Sequence, residues 1–155
     1  MINKNKKTSF RFDWVLINEL AIGTAPKNSS DLNYIENENI ISILSLCSEQ
    51  EANLANDIGK RFNHSRIYLP DHRTGIFPEK DQIKKVLKKL DEFMRNGAVL
   101  VHCVAAMERS PLICMAWLIT KNNLDLYEAL EYMMQIHPGT SPLPEQLRLL
   151  NDLNF

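Results

Sequence analysis

Ile40 to Cys47 reads IISILSLC, eight residues in which only Ser42 and Ser45 are polar. A strand with that pattern has no face to give to water, so it belongs inside a parallel sheet covered on both sides. Ala98 to Val101 repeats the pattern directly after Gly97, and Ser65 to Leu69 is a third short run, halted by Pro70-Asp71. Trp14 to Ile17 and Leu20 to Ile22 flank Asn18-Glu19 and stop at Gly23 and Pro26, which predicts two paired strands and a turn. Helical stretches fill the intervals. Asp31 is the expected cap of a short helix ending near Asn37, and Glu49 to Lys60 is expected to form another. From Pro78 to Asn96, Ile83, Val86, Leu87, Leu90, Phe93 and Met94 recur at helical spacing, with Lys84, Lys85, Lys88 and Lys89 on a solvated face balanced by Asp81, Asp91 and Glu92. Pro111 suits the first position of a buried helix through Thr120. Asp125 with Glu128 caps a further helix that Pro138-Gly139 stops, and Ser141-Pro142 opens the last, carrying Leu143, Leu147 and Leu150. The expected fold is α/β, a central, mostly parallel sheet of about five strands flanked by helices.

A chain of 155 residues, 45% apolar, suffices for one core, so residues 13–155 read as a single domain behind a basic and polar tail, 1–12. Eighteen basic residues against nineteen acidic leave a formal charge of -1. No nucleic acid partner is expected from that balance, and any anion site must be local. The densest apolar run, Leu112 to Ile119, is eight residues, too short for a membrane span. Cys47, Cys103 and Cys114 form no C-x-x-C pair, which argues against a disulfide framework and against structural zinc. The expectation is a cytoplasmic monomer without cofactor or metal, with Cys114 in the core and His64 and His137 as loop or cap residues.

The informative segment is Val101 to Pro111, VHCVAAMERSP, in which five residues separate Cys103 from Arg109 between a strand and a helix. A loop this short, closing on a helix N-terminus, can turn the backbone N–H groups of Val104, Ala105, Ala106, Met107 and Glu108 inward as a nest for a tetrahedral anion. Arg109 offers a planar fork to two of the anion's oxygens. The same donors favour Cys103 as a thiolate nucleophile, and Ser110 is placed to hydrogen-bond its sulfur. A leaving oxygen needs a proton donor; Asp71, 32 residues upstream on the loop after the third run, is the candidate acid, and then the base for water.

His102-Cys103 through Arg109-Ser110 reads H-C-x5-R-S and resembles the signature of the cysteine-dependent phosphatases, with Asp71 at the separation of the dual-specificity branch. The likeness extends from Trp14 to Leu150, through LINELAIG, the strand ending at Cys47, and ALEYMMQIHPG. It implies Cys103 as nucleophile, Arg109 and the loop backbone as phosphate binders, Asp71 as general acid and base, His102 as the residue orienting the loop, and Ser110 as an aid to release of the phosphoenzyme. A short chain implies a shallow pocket, open to a phosphorylated protein or a small phosphorylated molecule. Arg73, two residues past Asp71, is either a substrate contact or part of a turn. Cys47 is similar to the strand-ending cysteine of phosphoinositide phosphatases of the tensin-homologue type, which implies either a reversible Cys47–Cys103 disulfide or a buried thiol. Two departures stand out. Ala106 occupies a position where the family commonly has glycine, so a positive φ there would be strained, and the Glu108 carboxylate opposes an anion unless it points outward to a neighbouring loop. Two alternatives follow: a catalytically inactive phosphate-binding module, or a cell-cycle phosphatase of the rhodanese fold, which shares the Glu-Arg pair. The low-molecular-weight phosphatases carry the motif near the N-terminus, unlike Cys103.

Overall fold

The computed structural model describes residues 10–153; most of the polar tail assigned to 1–12 lies outside them. The strands β1 (Phe12–Leu16) and β2 (Leu20–Gly23) pair antiparallel around a turn in which Asn18 takes φ 62°. The helix α1 (Ser29–Asn37) follows, and its cap is Asn28 rather than Asp31. The Asn28 side chain accepts from Asp31 N at 2.9 Å, while the Asp31 carboxylate reaches back to Lys27 N at 2.8 Å. Two side chains thus satisfy two backbone donors reciprocally, and the helix begins a turn earlier than expected.

Next comes β3 (Ile40–Ser45). The helix expected over Glu49 to Lys60 is not formed; only α2 (Ile58–Arg61) is helical. This stretch has no sustained apolar period, and its contacts are made elsewhere: Ala55 N donates to Pro26 O at 3.1 Å, and Glu51 turns inward to the candidate site. The strand β4 (Asn63–Arg66) starts two residues before the apolar run, because as an edge strand it pairs its polar half with Ser42 to Ser45. Ile67 and Leu69 continue the extended path with bonds to Ser45 O and Leu46 O, both at 2.9 Å.

A 3-10 turn at His72–Thr74 closes on Gly75, whose φ of 76° suits glycine, and α3 (Lys80–Met94) runs as the spacing predicts. The strand β5 (Ala98–His102) leads through a loop into α4 (Arg109–Lys121), which begins two residues before Pro111. Proline is tolerated there because first-turn N–H groups have no intrahelical acceptor. The helix α5 (Leu126–Ile136) has the expected Asp125 cap on Glu128 N, at 2.8 Å. The helix α6 (Pro144–Asn151) places Pro144, not Pro142, at its start.

The sheet order is β1-β2-β5-β3-β4, parallel throughout except for β1. Side chains alternate along β5: Val99 and Val101 join the core beneath α3 to α6, and Ala98 and Leu100 join the one beneath α1 and α2. Burial on both faces accounts for the continuous apolar runs. The carboxyl ends of β2, β5, β3 and β4 meet at one edge, where the ligand crevice of an open α/β sheet lies.

Candidate active site

Cys103 leaves the end of β5 and is 3% exposed, at a cavity of about 180 Å³ lined also by Asp71, His72, Arg73, Val104, Ala105, Met107, Glu108 and Arg109. That volume is below the roughly 300–1,000 Å³ of typical small-molecule pockets. His102, fully buried, hydrogen-bonds the Cys103 carbonyl through Nδ1 at 2.7 Å. A carbonyl only accepts, so Nδ1 carries the hydrogen and Nε2 accepts from the Ser45 hydroxyl at 2.5 Å. The Ser45 oxygen in turn accepts from His64 Nε2 at 2.8 Å. Burial pushes the His102 imidazole down to about 4 and keeps it neutral. For His64, burial and then Arg66 act in the same direction.

The loop's carbonyls are tied away from the cavity one by one. Cys103 O accepts from His102, Val104 O from Ala25 N at 3.1 Å, Ala106 O from His137 Nε2 at 2.7 Å, and Met107 O from Ser141 N at 2.7 Å. In a trans peptide the N–H points opposite to the C=O. Fixing those oxygens therefore turns the N–H groups of Val104, Ala105, Met107 and Glu108 the other way, toward the cavity. None of the four finds an acceptor among the described residues. Ala106 adopts φ 56°, the left-handed conformation at a non-glycine residue that its position raised as an expectation.

Arg109 is 2% exposed, and four of the five N–H groups of its guanidinium are already engaged. Nη1 donates to Glu51 Oε2 at 3.1 Å and to Leu69 O at 3.1 Å; Nη2 donates to Glu51 Oε1 at 2.7 Å and reaches Asp71 Oδ2 at 3.5 Å. The Nε–H and the long Nη2···Asp71 contact are what an incoming anion can claim. Burial pushes the Glu51 carboxyl up, but Arg109 and Ser48 N–H outweigh it and hold it below its ordinary range. Glu51 has no motif to announce it; the available signal is that a buried arginine requires a carboxylate.

Asp71 is buried at the cavity wall and bound by Arg73: Nε lies 3.2 and 3.1 Å from the two carboxylate oxygens, Nη2 2.6 Å from Oδ2, and the backbone N 3.0 Å from Oδ1. These bonds lower the Asp71 carboxyl to about 2 against a desolvation that raises it, with Arg109 adding to the shift. Arg73 thus meets Asp71 first, while its side chain remains 70% exposed at the mouth. Glu108 turns away from the loop interior. Its carboxylate accepts from His72 N at 3.2 Å and Gln146 Nε2 at 3.5 Å and pairs with His72 Nδ1. It bonds the neighbouring loop that carries Asp71, the outward arrangement that leaves the nest to an anion.

The expected bond from Ser110 to the sulfur is not formed; Ser110 Oγ is buried without a hydrogen-bond partner among the described residues. Cys47 lies beyond the end of β3, a free buried thiol whose carbonyl accepts from Arg66 Nη1 at 2.5 Å. Burial raises the Cys47 thiol, against the opposing charges of Arg66 and Arg109. Cys114 is buried inside α4, and burial raises its thiol strongly. His137 is the C-cap of α5, as its position suggested, but fully buried against the loop. Asp71, His72 and Glu108 bring potential ligand atoms within 4.8 Å of one another, a proximity their mutual hydrogen bonds explain.

Residues 21–154 match the family model of the dual specificity phosphatase catalytic domain. Human dual specificity protein phosphatase 6 is 30% identical over 128 residues, covering 79% of this chain and 31% of that protein. The tyrosine-protein phosphatase CDC14 homolog of Schizosaccharomyces pombe is 30% identical over 93 residues, 59% of this chain and 17% of that protein. The chain thus spans less than a third of either relative. In fold it is similar to Tk-PTP in the active form, with TM-score 0.80 at 23% identity over 92% of this chain and 95% of that one. It is also similar to PTPMT1 in complex with PI(5)P, with TM-score 0.78 at 21% identity over 91% and 92% of the two chains.

Proposed function

The chain belongs to the dual specificity phosphatase family, and from that premise we propose that it hydrolyses phosphomonoesters through a phosphocysteine intermediate. The observation that carries this reading is Cys103 at a cavity ringed by four peptide N–H groups whose carbonyls are tied outward, with Arg109 beside it. The Cys103 thiolate attacks phosphorus; the S–P bond forms as the bond to the ester oxygen breaks. The inward N–H groups and Arg109 Nε–H take the negative charge that builds on the equatorial oxygens. Asp71 gives its proton to the leaving oxygen and then takes one from the water that cleaves the S–P bond. The unpartnered Ser110 hydroxyl supports a role in receiving the thiolate as it leaves phosphorus. Asp71 is ionised while Arg73 holds it, so the first step requires that the substrate dianion draw Arg109 and Arg73 toward itself and let the carboxyl take up a proton.

The substrate is a phosphorylated protein or a small phosphorylated molecule, a breadth that the small cavity supports. PTPMT1, solved with PI(5)P, makes a phosphoinositide one member of that set. Residues 13–155 act as one catalytic domain, and the three sparse cysteines support a cytoplasmic setting. No described helix is long and apolar enough to cross a membrane. Hydrolysis of p-nitrophenyl phosphate in EDTA, by wild type, Cys103→Ser and Asp71→Ala, tests the reading. Wild type should turn over, Cys103→Ser should be inactive yet bind phosphate, and Asp71→Ala should lose most with poor leaving groups. Wild type that binds phosphate but does not turn over would favour the binding module.

A further inference from the structure

His137 is fully buried, and both of its ring nitrogens face acceptors. Nε2 lies 2.7 Å from Ala106 O and Nδ1 2.6 Å from Asp13 Oδ2. A carbonyl cannot donate, so Nε2 carries a hydrogen. The Nδ1 contact then needs a second proton, held either on the ring as imidazolium or on the Asp13 carboxyl. The pair therefore holds one proton more than a neutral imidazole beside a carboxylate. Arg11 Nε donates to the same Asp13 oxygen at 3.0 Å and holds that carboxyl in place.

The position is mechanically fixed. His137 N closes the last turn of α5 on Met133 O at 2.8 Å, and Thr140 Oγ1 holds His137 O at 2.8 Å. Tyr132 of α5 hydrogen-bonds Val15 O at 2.5 Å, which anchors the helix on the strand that supplies Asp13. What the ring holds is the carbonyl of Ala106, the loop residue in the left-handed region at φ 56°. An alanine resists that conformation by about 1–2 kcal/mol, so an external bond is needed where glycine would adopt it freely.

We propose that Asp13 and His137 form a protonated brace that positions the Met107 N–H for the substrate phosphate by fixing the Ala106–Met107 peptide. The two act as positioning residues, since neither lines the cavity. A charge-assisted donor on Ala106 O also polarises the peptide and strengthens its N–H as a donor. This inference rests on the phosphatase reading, because the loop must bind phosphate for its N–H directions to matter.

The experiment combines orthovanadate inhibition, steady-state kinetics and ring-nitrogen NMR on the full chain. In the wild type, His137 Nε2 should be protonated, and the Met107 amide should shift on adding vanadate. His137→Ala should raise KM and the vanadate inhibition constant about tenfold, the worth of one charged hydrogen bond, while the dependence of rate on leaving-group basicity stays unchanged. Asp13→Asn should retain a neutral ring with Nε2–H and most of the affinity, whereas Asp13→Ala should fall between the two. These Asp13 variants keep the proposal open to test if His137→Ala does not fold. Wild-type affinity in a folded His137→Ala, equal behaviour of the two Asp13 variants, or a bare Nε2 in the wild type would overturn the brace. A wild type that neither turns over nor binds vanadate would instead overturn the phosphatase reading, and the ring-nitrogen spectrum would still decide whether the brace exists.

Discussion

Arg73 holds Asp71 in a side-on pair, with Nη2 2.6 Å from Oδ2 and Nε within 3.2 Å of both carboxylate oxygens. The residue proposed to deliver the proton is thereby stabilised without one, lowered from an ordinary 3.8 to about 2. Removing Arg73 should let the Asp71 carboxyl rise toward its ordinary value, so that a larger fraction is protonated near pH 6. Arg73→Ala is therefore expected to raise kcat/KM severalfold for a substrate with a poor leaving group, such as phenyl phosphate, and to shift the pH profile upward. An unchanged profile would mean that drawing Arg73 off Asp71 costs the enzyme nothing on the way to the rate-determining complex.

The same shift has a sign for stability. A carboxyl whose folded value is depressed stabilises the fold above its unfolded value, and that contribution is lost as pH falls from 3.8 toward about 2. Arg73 is 70% exposed, so solvent screening keeps the effect small. The wild type should unfold at slightly higher urea than Arg73→Ala at neutral pH, with the difference closing below pH 3 as measured by denaturation midpoints.

Glu51→Gln should cost more. It leaves Arg109, at 2% exposure, without its charged partner, and truncating one member of a buried pair costs about 3–5 kcal/mol. Glu51 retains 21% side-chain exposure and glutamine can still accept one bond, so we expect about 2 kcal/mol. Phosphate affinity should fall together with stability, because the guanidinium loses the support that sets its plane. Unfolding in urea and phosphate inhibition of the same variant check both.

Glu51 also marks where the sequence stopped being legible. The buried runs Ile40 to Cys47 and Ala98 to Val101 declared a parallel sheet, because burial on both faces leaves a local trace in composition. The H-C-x5-R-S spacing declared the loop, because neighbouring backbone positions in one short segment do one job. Glu51, Ser45, Ala25, Asp13 and His137 left no such trace. Each acts through a partner 31 to 124 residues away, by one or two hydrogen bonds, and any surface carboxylate or histidine has the same local sequence character. The expected helix over Glu49 to Lys60 failed for a related reason: the segment is shaped by a long-range demand, the charge on Arg109, that local propensity does not contain.

His102 offers a pH window of its own. Burial lowers the ring from 6.5 to about 4, so between those values the unfolded chain binds a proton that the folded one does not. Stability should therefore be full above about pH 6.5 and decline as pH falls toward 4. His102→Gln removes the titrating group and should flatten that part of the stability curve, although it is less stable at neutral pH through loss of the bonds to Cys103 O and Ser45 Oγ. Ser45→Ala should keep the slope and lose about 1 kcal/mol. Thermal midpoints collected across the window separate the two variants, and an equal slope in wild type and His102→Gln would assign the acid sensitivity elsewhere.

Ala106→Gly tests the loop's strain directly. Relief of the left-handed alanine at φ 56° is worth about 1–2 kcal/mol, against about 0.4–1 kcal/mol of added freedom in the unfolded chain. The Ala106 Cβ is itself buried, so losing its contacts removes part of the gain. A net stabilisation of about 0.5 kcal/mol is expected at unchanged urea m-value. The kinetic consequence depends on what holds the peptide. If the His137 bond fixes the Ala106 carbonyl, Ala106→Gly in the wild-type background should leave KM unchanged, because the brace still orients the Met107 N–H. In the His137→Ala background the same change should lower KM again, since glycine adopts the required φ without help. Non-additive KM values across that double-mutant cycle are the expected result, and strict additivity would separate the loop's conformation from its brace.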